Sequence, residues 1–253
     1  MNHLKSSILT AALALVSLTS ANAQTVITQW NFEAQTNTNQ PTPSTGTGSA
    51  SLLNGTTATI AGGAGGSASG WNTSTYAAQG TGSGTRGVQF NVSTLLYSNI
   101  TVSFDHRASG TASRWSQVDY TLNGNDWVTG FWNNNGGLSP HDNFYSFNVD
   151  FSSITGANDN ANFGFRIVSI FSPQAFDQSS TLAAFADNAA YMRANAGAVY
   201  SPNTSSATGD YATGGTWRFD NVTVSGVPEP SSASLMLLGF SGLLALRRLN
   251  RKS

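Results

Sequence analysis

Asp105, His106 and Arg107 follow one another directly, so an acid, a base and a cation stand side by side, as in acid–base catalysis. A hydrolytic triad also needs a nucleophile in contact with its base, but no serine lies in a Gly-x-Ser-x-Gly sequence. A catalytic zinc ion needs three protein ligands, and only a chance carboxylate could complete a set containing His106 and His141. We therefore expect Asp105 to pair with Arg107, and we predict that the chain is not an enzyme.

Glycoside hydrolysis is the catalytic alternative, and it needs two carboxylates on opposite sides of the scissile bond. Residues 24–226 contain eleven acids, so a chance pair is possible, but no motif identifies one. A secreted hydrolase that acts on polysaccharide stays open. Two acids facing one cleft would favour it, whereas a flat face with aligned tryptophans would favour binding.

Tryptophans are the stronger functional indication. Trp71, Trp127 and Trp132 lie near predicted turns, and Trp132 leads into the polar stretch 133–137. An exposed indole beside Asn and Asp side chains can stack on a sugar and hydrogen-bond to it, because the ring combines an apolar face with a polar edge. We predict these three residues as carbohydrate-binding residues. The alternative is that such rings cap the core.

Composition restricts the partners and the sources of stability. Residues 24–226 contain six arginines, no lysine and eleven acids, which gives a net charge of −5. Nucleic acids are held by basic patches, so the composition argues against a nucleic-acid partner. The chain has no cysteine, so its stability must come from packing. A segment of about 200 residues suits one domain with a substantial core.

Alternating apolar and polar residues predict about eight short strands. A loop is expected over 35–70, with one short strand near 58–60. Trp217 and Phe219 share one face, but Val222 and Val224 have the opposite parity, which predicts a bulge at Asp220 and Asn221. The predicted strands cover residues 26–32, 88–92, 100–104, 116–122 with a return strand after the turn at 123–124, 144–151, 163–171 and 216–224.

One segment has helical spacing. Leu182, Phe185, Ala189 and Met192 recur at intervals of three, four and three, and Gly197 follows as a C-cap. We predict a helical excursion over 181–196. The fold class is therefore mostly β: an antiparallel β-sandwich over residues 24–226 with one short helix.

Both ends of the chain carry export features. At the N-terminus a charged start, an apolar core over 8–18 and the small-x-small sequence at 21–23 predict a signal peptide spanning residues 1–23. At the C-terminus, an apolar helix over about 233–246 is shorter than the roughly 20 residues that span a bilayer. Flanking cations can snorkel to the headgroups, and they place the C-terminus on the cytoplasmic side. These cations are Arg247, Arg248, Arg251 and Lys252.

Val227-Pro228-Glu229-Pro230, the apolar run and the basic end together resemble the PEP-CTERM sorting signal of Gram-negative bacteria. The resemblance implies that an exosortase, a membrane transpeptidase, recognises Pro228, Glu229 and Pro230, with the basic residues as the stop signal. It also implies transient residence in the inner membrane, removal of residues 227–253, and a location at the cell surface, outer membrane or exopolysaccharide matrix. An ordinary single-pass tail anchor is the alternative.

The sequences of the first and last strands, 29–33 and 217–222, resemble those of jelly-roll, carbohydrate-binding-module-like domains. In such domains these two strands are neighbours, and acids at corresponding places help to hold a structural calcium ion. By that resemblance Glu33 and Asp220 are the expected ligands, since calcium takes six to eight oxygens. Alternatively, Asp220 pairs with Arg218 or another arginine, or caps a turn.

The leading hypothesis is a non-enzymatic surface or matrix protein that binds, or is embedded in, exopolysaccharide. Matrix association is implied by the PEP-CTERM resemblance. The alternatives are the hydrolase and a structural coat subunit, and a coat subunit would present an exposed sheet edge.

Overall fold

A computed structural model describes residues 23–133, 137–171, 191–194 and 211–229. Eleven strands and two single-turn 3₁₀ helices, Ala64–Gly66 and Thr155–Ala157, make up this part of the chain. The strands are β1 (Thr25–Trp30), β2 (Ser49–Leu53), β3 (Thr57–Ala61), β4 (Gly70–Ser74), β5 (Gly87–Asn91), β6 (Tyr97–Ala108), β7 (Ser116–Thr121), β8 (Trp127–Trp132), β9 (Phe144–Asp150), β10 (Gly164–Ser169) and β11 (Trp217–Pro228).

The strands form two antiparallel sheets, as the alternating pattern predicts. The six-stranded sheet runs β3-β4-β11-β6-β9, and β1 pairs with β11 beyond the end of β4. The five-stranded sheet runs β2-β5-β10-β7-β8. The first and last strands are therefore neighbours, and β8 and β9 are edge strands of opposite sheets.

Aromatic side chains fill the space between the sheets. Phe90 lies at the centre, with its ring centroid 4.9 Å from that of Trp30 and 5.9 Å from that of Trp71. Phe165 stacks on Phe90 from the neighbouring strand at 4.9 Å. Each of these rings is fully buried. Large buried rings contribute much apolar area, so a chain without disulfides can obtain its stability from this core.

The predicted bulge in the last strand is confirmed. The pairing of β11 with β6 shifts register between Asp220 and Thr223, and Asn221 has a φ of 49°. Asparagine tolerates this left-handed conformation better than most residues. The extra residue restores Val222 and Val224 to the buried face.

Two local predictions need correction. The stretch 35–70 holds two full strands, β2 and β3, rather than one short strand. The described part of the predicted helix, residues 191–194, is extended: Arg193 bridges Ser113, and the Ala194 amide donates to the Ala112 carbonyl over 3.0 Å. The rest of 181–196, with Gly197, lies outside the described residues.

The predicted export segments lie almost entirely outside the described residues. These include the signal peptide up to residue 22, Pro230, the apolar run over 233–246 and Arg247, Arg248, Arg251 and Lys252. Within the described ranges, no helix is long and apolar enough to cross a membrane. The expected domain boundary after residue 226 falls inside β11, which continues to Pro228.

Candidate functional site

The outer face of the five-stranded sheet carries a polar row that crosses all five strands. Partners in an antiparallel ladder lie on the same face, so the register pairs give the row directly: Ser51, Gln89, Arg166, Asp119 and Thr129. A sheet face without a second layer is normally solvated and polar. A complete row of hydrogen-bonding side chains across a flat surface can also bind a polar ligand.

A salt bridge fixes the middle of this row. The Arg166 Nε atom lies 2.8 Å from Asp119 Oδ2, and Gln117 Nε2 donates to Asp119 Oδ1 over 2.6 Å. The Arg166 guanidinium also lies 4.8 Å from the Trp127 ring centroid, which is a cation–π contact. Arg166 is thus held between a carboxylate and an indole, and Asp119 is 2% exposed. The two charges compensate each other, so this part of the face is close to neutral.

Amide side chains line the adjoining groove, which has a volume of about 400 Å³. Gln89 Nε2 donates to Asn91 Oδ1, and Asn91 Nδ2 donates to Ser49 Oγ, each over 3.3 Å. These distances lie at the long end of the range for hydrogen bonds. Gln89 and Asn91 therefore have donors and acceptors that a ligand can engage at little cost.

Trp127 and Trp132 project from the same face of β8. Trp127 pairs with Thr121 and Trp132 with Gln117, and these partners are four residues apart on β7. Trp127 and Trp132 are an odd number of residues apart, so on a regular strand they would face opposite sides. A bulge in the pairing between Val118 and Asp119 brings both rings to the same face. Four steps along a strand span about 13 Å. Trp132 is 45% exposed, and its edge contact with Trp115 at 5.7 Å orients the ring.

The third predicted sugar-binding residue, Trp71, is corrected by the structure. It is fully buried, stacks on Phe32 at 5.6 Å, and its Nε1 atom donates to the Thr38 carbonyl over 2.6 Å. Trp71 therefore belongs to the core and presents no ring face to a ligand. Sequence reasoning also missed the polar residues beside the other two tryptophans, above all Arg166 and Asp119.

A second cleft opens between the edge strands β8 and β9 and has a volume of about 350 Å³. Its lining is mainly apolar and includes Phe104, Phe131 and Phe147, and Asp150 is its one acid. Among the described residues, no acid lines the amide-lined groove on the outer face. Neither cleft therefore combines the two carboxylates that glycoside hydrolysis requires.

The outer face of the six-stranded sheet gathers three acids. The Asp220 carboxylate is 1% exposed and accepts hydrogen bonds from the amides of Ala64 and Asn221, each over 2.8 Å. Burial raises the pKa of Asp220, and the charges of Asp105 and Glu33 raise it further against these two hydrogen bonds. Glu33 Oε1 accepts a hydrogen bond from the Ser67 hydroxyl over 2.6 Å.

No arginine neutralises these acids among the described residues. Arg218, the expected alternative partner of Asp220, instead donates to Asn72 Oδ1 over 3.3 Å and to the Gly62 carbonyl over 2.8 Å. Asp105 accepts hydrogen bonds from Ser146 Oγ over 2.5 Å and Asn221 Nδ2 over 2.9 Å. The cluster thus brings together three carboxylates that repel one another.

Oxygen atoms converge beside this cluster where Gly63 has no side chain. A Cβ atom on Gly63 would lie 2.2 Å from Asp220 Oδ2, 2.4 Å from the Ser69 carbonyl and 2.7 Å from Ser67 Oγ. Carboxylate, carbonyl and hydroxyl oxygens are the ligands that calcium prefers. Within the described ranges, no group of three or more His, Cys, Asp or Glu side chains is placed to hold a metal ion. Main-chain and hydroxyl oxygens would therefore have to complete a calcium site at Glu33 and Asp220.

The expected pair of Asp105 with Arg107 is wrong. The Arg107 guanidinium contacts Asp142 instead, and Asp142 also accepts from His141 Nδ1 over 2.6 Å. His106 points into the core, where Phe219 stacks on it at 4.4 Å, and neither ring nitrogen has a hydrogen-bond partner among the described residues. Burial lowers the pKa of His106 to about 3. Asp105, His106 and Arg107 thus face different surroundings and form no catalytic unit.

Among solved structures, the chain is similar to carbohydrate-binding modules. It covers 50% of the CBM22-1–CBM22-2 tandem domain from Paenibacillus barcinonensis Xyn10C, with 81% of this chain covered, 12% identity and a TM-score of 0.42. The CBM22-2 xylan-binding domain of the same protein matches at 10% identity and a TM-score of 0.39, over 70% of this chain and 91% of the domain. The family 11 module from Clostridium thermocellum, solved with a β-1,3-1,4-mixed-linked tetrasaccharide, matches at 11% identity and 0.38, over 81% of this chain and all of the module.

Sequence comparison identifies the C-terminal segment. No curated protein sequence matches the chain. Residues 226–252 match the family model described as the PEP-CTERM protein-sorting motif. The match confirms the predicted sorting signal, which an exosortase recognises. It indicates that the protein is exported to the cell surface or the extracellular space.

Proposed function

We propose that the two-sheet domain is a non-enzymatic carbohydrate-binding module that attaches this exported protein to a polysaccharide, in particular the exopolysaccharide of its own matrix. The observation that carries the proposal is the alignment of Trp127 and Trp132 on one open face, beside a polar row. An apolar ring next to hydrogen-bonding groups is the combination that suits sugars, whose faces are apolar and whose edges carry hydroxyls.

The geometry favours an extended, neutral glycan. A tryptophan spacing of about 13 Å is longer than one sugar ring, so the two indoles would stack on different residues of one chain. Gln89 and Asn91 would receive its hydroxyls farther along the same face. Because Arg166 and Asp119 neutralise each other, the face offers no net charge for an acidic polysaccharide.

The test is the affinity of the full chain, held in detergent micelles, for a panel of neutral and acidic polysaccharides. Trp127→Ala and Trp132→Ala should each weaken binding to a neutral polysaccharide by about tenfold, since an aromatic contact is worth about that factor. Val128→Ala is the matched control, because Val128 is 46% exposed but lies on the opposite face of β8. Binding that survives both tryptophan changes, or release of reducing sugar, would overturn the proposal.

A structural coat subunit is the second candidate, and one observation favours it. The edge strand β8 exposes Val128 and Phe131 at 46% and 40%. An unprotected apolar edge is a template for pairing with another chain. Sedimentation of the full chain in micelles tests this role: a coat subunit should form larger assemblies that Val128→Lys abolishes, whereas a binding module should not.

We also propose that Glu33 and Asp220 hold a structural calcium ion. The support is the convergence of Asp220 Oδ2, Ser69 O and Ser67 Oγ beside Gly63, together with three carboxylates that lack a cation. A divalent ion there would neutralise the repulsion and tie the loop of residues 62–70 to β11. Its role would be stability, since Asp220 is almost completely covered.

A further inference from the structure

The sorting motif begins inside the folded domain. Val227 pairs with Ser98 and Pro228 with Tyr97 at the end of β11, and the Glu229 amide donates to the Leu96 carbonyl over 2.8 Å. The first two residues of the Pro-Glu-Pro sequence are therefore held by the start of β6 and the turn before it. No flexible linker separates the sandwich from the motif.

The turn that holds Glu229 is apolar and exposed. Leu95 is 48% exposed and Leu96 is 70% exposed, and we call these two residues the tip. Val26, at 47%, lies near the same end, because it pairs with Ser225 on β11. Half of the six large apolar side chains that are exposed in the described residues thus lie where the chain leaves the domain. The other three are on β8.

Leu96 occupies a backbone conformation that does not suit leucine. Its φ is 67°, in the left-handed region that glycine and asparagine adopt far more easily. The turn is fixed from both sides, because the Leu96 amide donates to Asp159 Oδ1 over 2.8 Å while its carbonyl accepts from Glu229. A leucine that is both strained and solvated is unfavourable for folding alone. This combination points to a contact outside the domain.

The sequence beyond Glu229 limits how far the tip can be from a membrane. The uncharged apolar run begins at Leu235, only six residues after Glu229. Six extended residues span about 20 Å at most. If the apolar run of the sorting signal enters the bilayer, as its sequence predicts, the tip must lie within that distance of the lipid surface.

We propose that Leu95 and Leu96 insert into the lipid surface while the sorting tail is in the membrane, so that the sandwich stands on the bilayer at this end. The tip itself carries no charge, and the charged residues that hydrogen-bond to it among the described residues, Asp159 and Glu229, are both acidic. The contact is therefore apolar, and it does not depend on anionic lipid. Tethering by the tail makes even a weak contact effective, because it raises the local concentration of the tip at the surface. Pro228 and Glu229 are then presented at the membrane surface, at a fixed height and orientation.

The absence of cysteine allows a direct test on the full chain. A fluorophore is attached to Ser93→Cys, which is next to the tip, in protein reconstituted into zwitterionic vesicles containing nitroxide lipids. Ala78→Cys is the matched control, since Ala78 is exposed in the loop between β4 and β5 at the other end of the sandwich. Ser241→Cys, within the apolar run, reports insertion of the tail. We expect quenching at 241 and 93 and none at 78.

A second variant separates membrane contact from folding. Leu96→Asn together with Leu95→Ser, in the Ser93→Cys background, should lower the ratio of docked to free tips by about tenfold or more. Its melting temperature should not fall, because asparagine suits the left-handed backbone.

Four results would overturn the proposal. One is quenching at 241 without quenching at 93. Another is equal quenching at 93 and 78, which would mean that the domain lies on its side. The third is the absence of quenching at 241, which would show that the apolar run does not enter the bilayer. Docking that requires the transpeptidase in the vesicles would assign the tip to a protein partner instead.

Discussion

The two sheets of this domain differ in whether their polar side chains are buried or exposed, and in whether the charged ones have a partner of opposite charge. The six-stranded sheet covers its unusual groups: His106 lies in the core, and Asp220 lies under the loop of residues 62–70. The five-stranded sheet leaves Arg166 and both β8 tryptophans partly open, and its one buried acid, Asp119, has a cationic partner.

If the open sheet binds a glycan, as proposed, this difference separates stability from binding within one fold. A covered group without an opposite charge makes the free energy of folding depend on pH or on a bound ion. An open group whose charge is already compensated is free to contact a ligand without a large desolvation cost. Changes in the six-stranded sheet should therefore alter unfolding, and changes in the five-stranded sheet should mainly alter glycan affinity.

The largest effect is expected from His106. Burial lowers its pKa to about 3 in the folded state, from about 6.5 when unfolded. Above pH 6.5 the histidine is neutral in both states. As the pH falls below 6.5 the unfolded chain takes up the proton first, so stability drops by about 1.4 kcal/mol per pH unit until the folded pKa is reached. Urea unfolding at pH 7 and pH 4 measures this loss, which should reach about 3 kcal/mol over that range.

His106→Phe keeps a ring in the aromatic cluster and removes the titrating group. The stability of this variant should fall less steeply between pH 7 and pH 4 than that of the unaltered protein. His141→Gln is the control, since His141 is partly exposed and lies outside the core, and it should leave the slope due to His106 intact. Equal slopes in the unaltered protein and His106→Phe would place the acid sensitivity elsewhere.

A smaller effect is expected from calcium at Glu33 and the covered acid Asp220. An ion that binds only the folded state stabilises it by about 2.7 kcal/mol at one hundred times its dissociation constant. The melting temperature should rise with added calcium and fall with chelator, and Asp220→Asn should abolish both responses. Asp119→Asn, which alters the buried acid of the other sheet, should keep them. An unchanged melting temperature across the calcium titration would rule out the site.

Strands such as β6 were predictable because fully buried and partly exposed residues alternate along them. The bulge at Asp220 and Asn221 was predictable for the same reason, since the parity of the apolar residues reverses there. β2 was not, because Ser-Ala-Ser-Leu-Leu has little intrinsic strand propensity. It becomes a strand by pairing with β5 over five residues, and a single sequence does not reveal that pairing.

The candidate site was predictable only in part. Trp127 and Trp132 were identified by their type and by nearby turns, but the same criteria selected Trp71, which the Phe32 and Phe90 rings enclose. Local sequence also suggested Asp105 with Arg107, whose side chains two residues apart share a face. The sheet decides otherwise, because it brings partners for Asp105 from the neighbouring strands and places Asp142, in the turn before β9, beside Arg107. The polar row through Arg166 has the same origin, since its members are far apart in sequence and meet only in the sheet.

The smallest effect on stability is expected from Arg166→Gln on the open sheet. The variant leaves the buried Asp119 carboxylate with Gln117 as its remaining side-chain partner among the described residues. Because Arg166 itself is 26% exposed, solvent screening limits the loss to about 1–2 kcal/mol. Asp119→Asn in the same chain should recover most of it, since no buried charge then lacks a partner. Urea unfolding of the two single variants and the double variant gives the coupling between the side chains.

The same set of variants also separates the roles of this ion pair in stability and in binding. Arg166 holds the Trp127 ring from one side, so its loss should lower glycan affinity even in the double variant whose stability is recovered. Arg166→Lys keeps the charge but not the planar stacking surface, and it should lower affinity almost as much as Arg166→Gln. If affinity returned together with stability in the double variant, Arg166 would serve the fold alone. In that case the polar groups of the five-stranded sheet, like those of the six-stranded sheet, would mainly determine stability, although they are exposed.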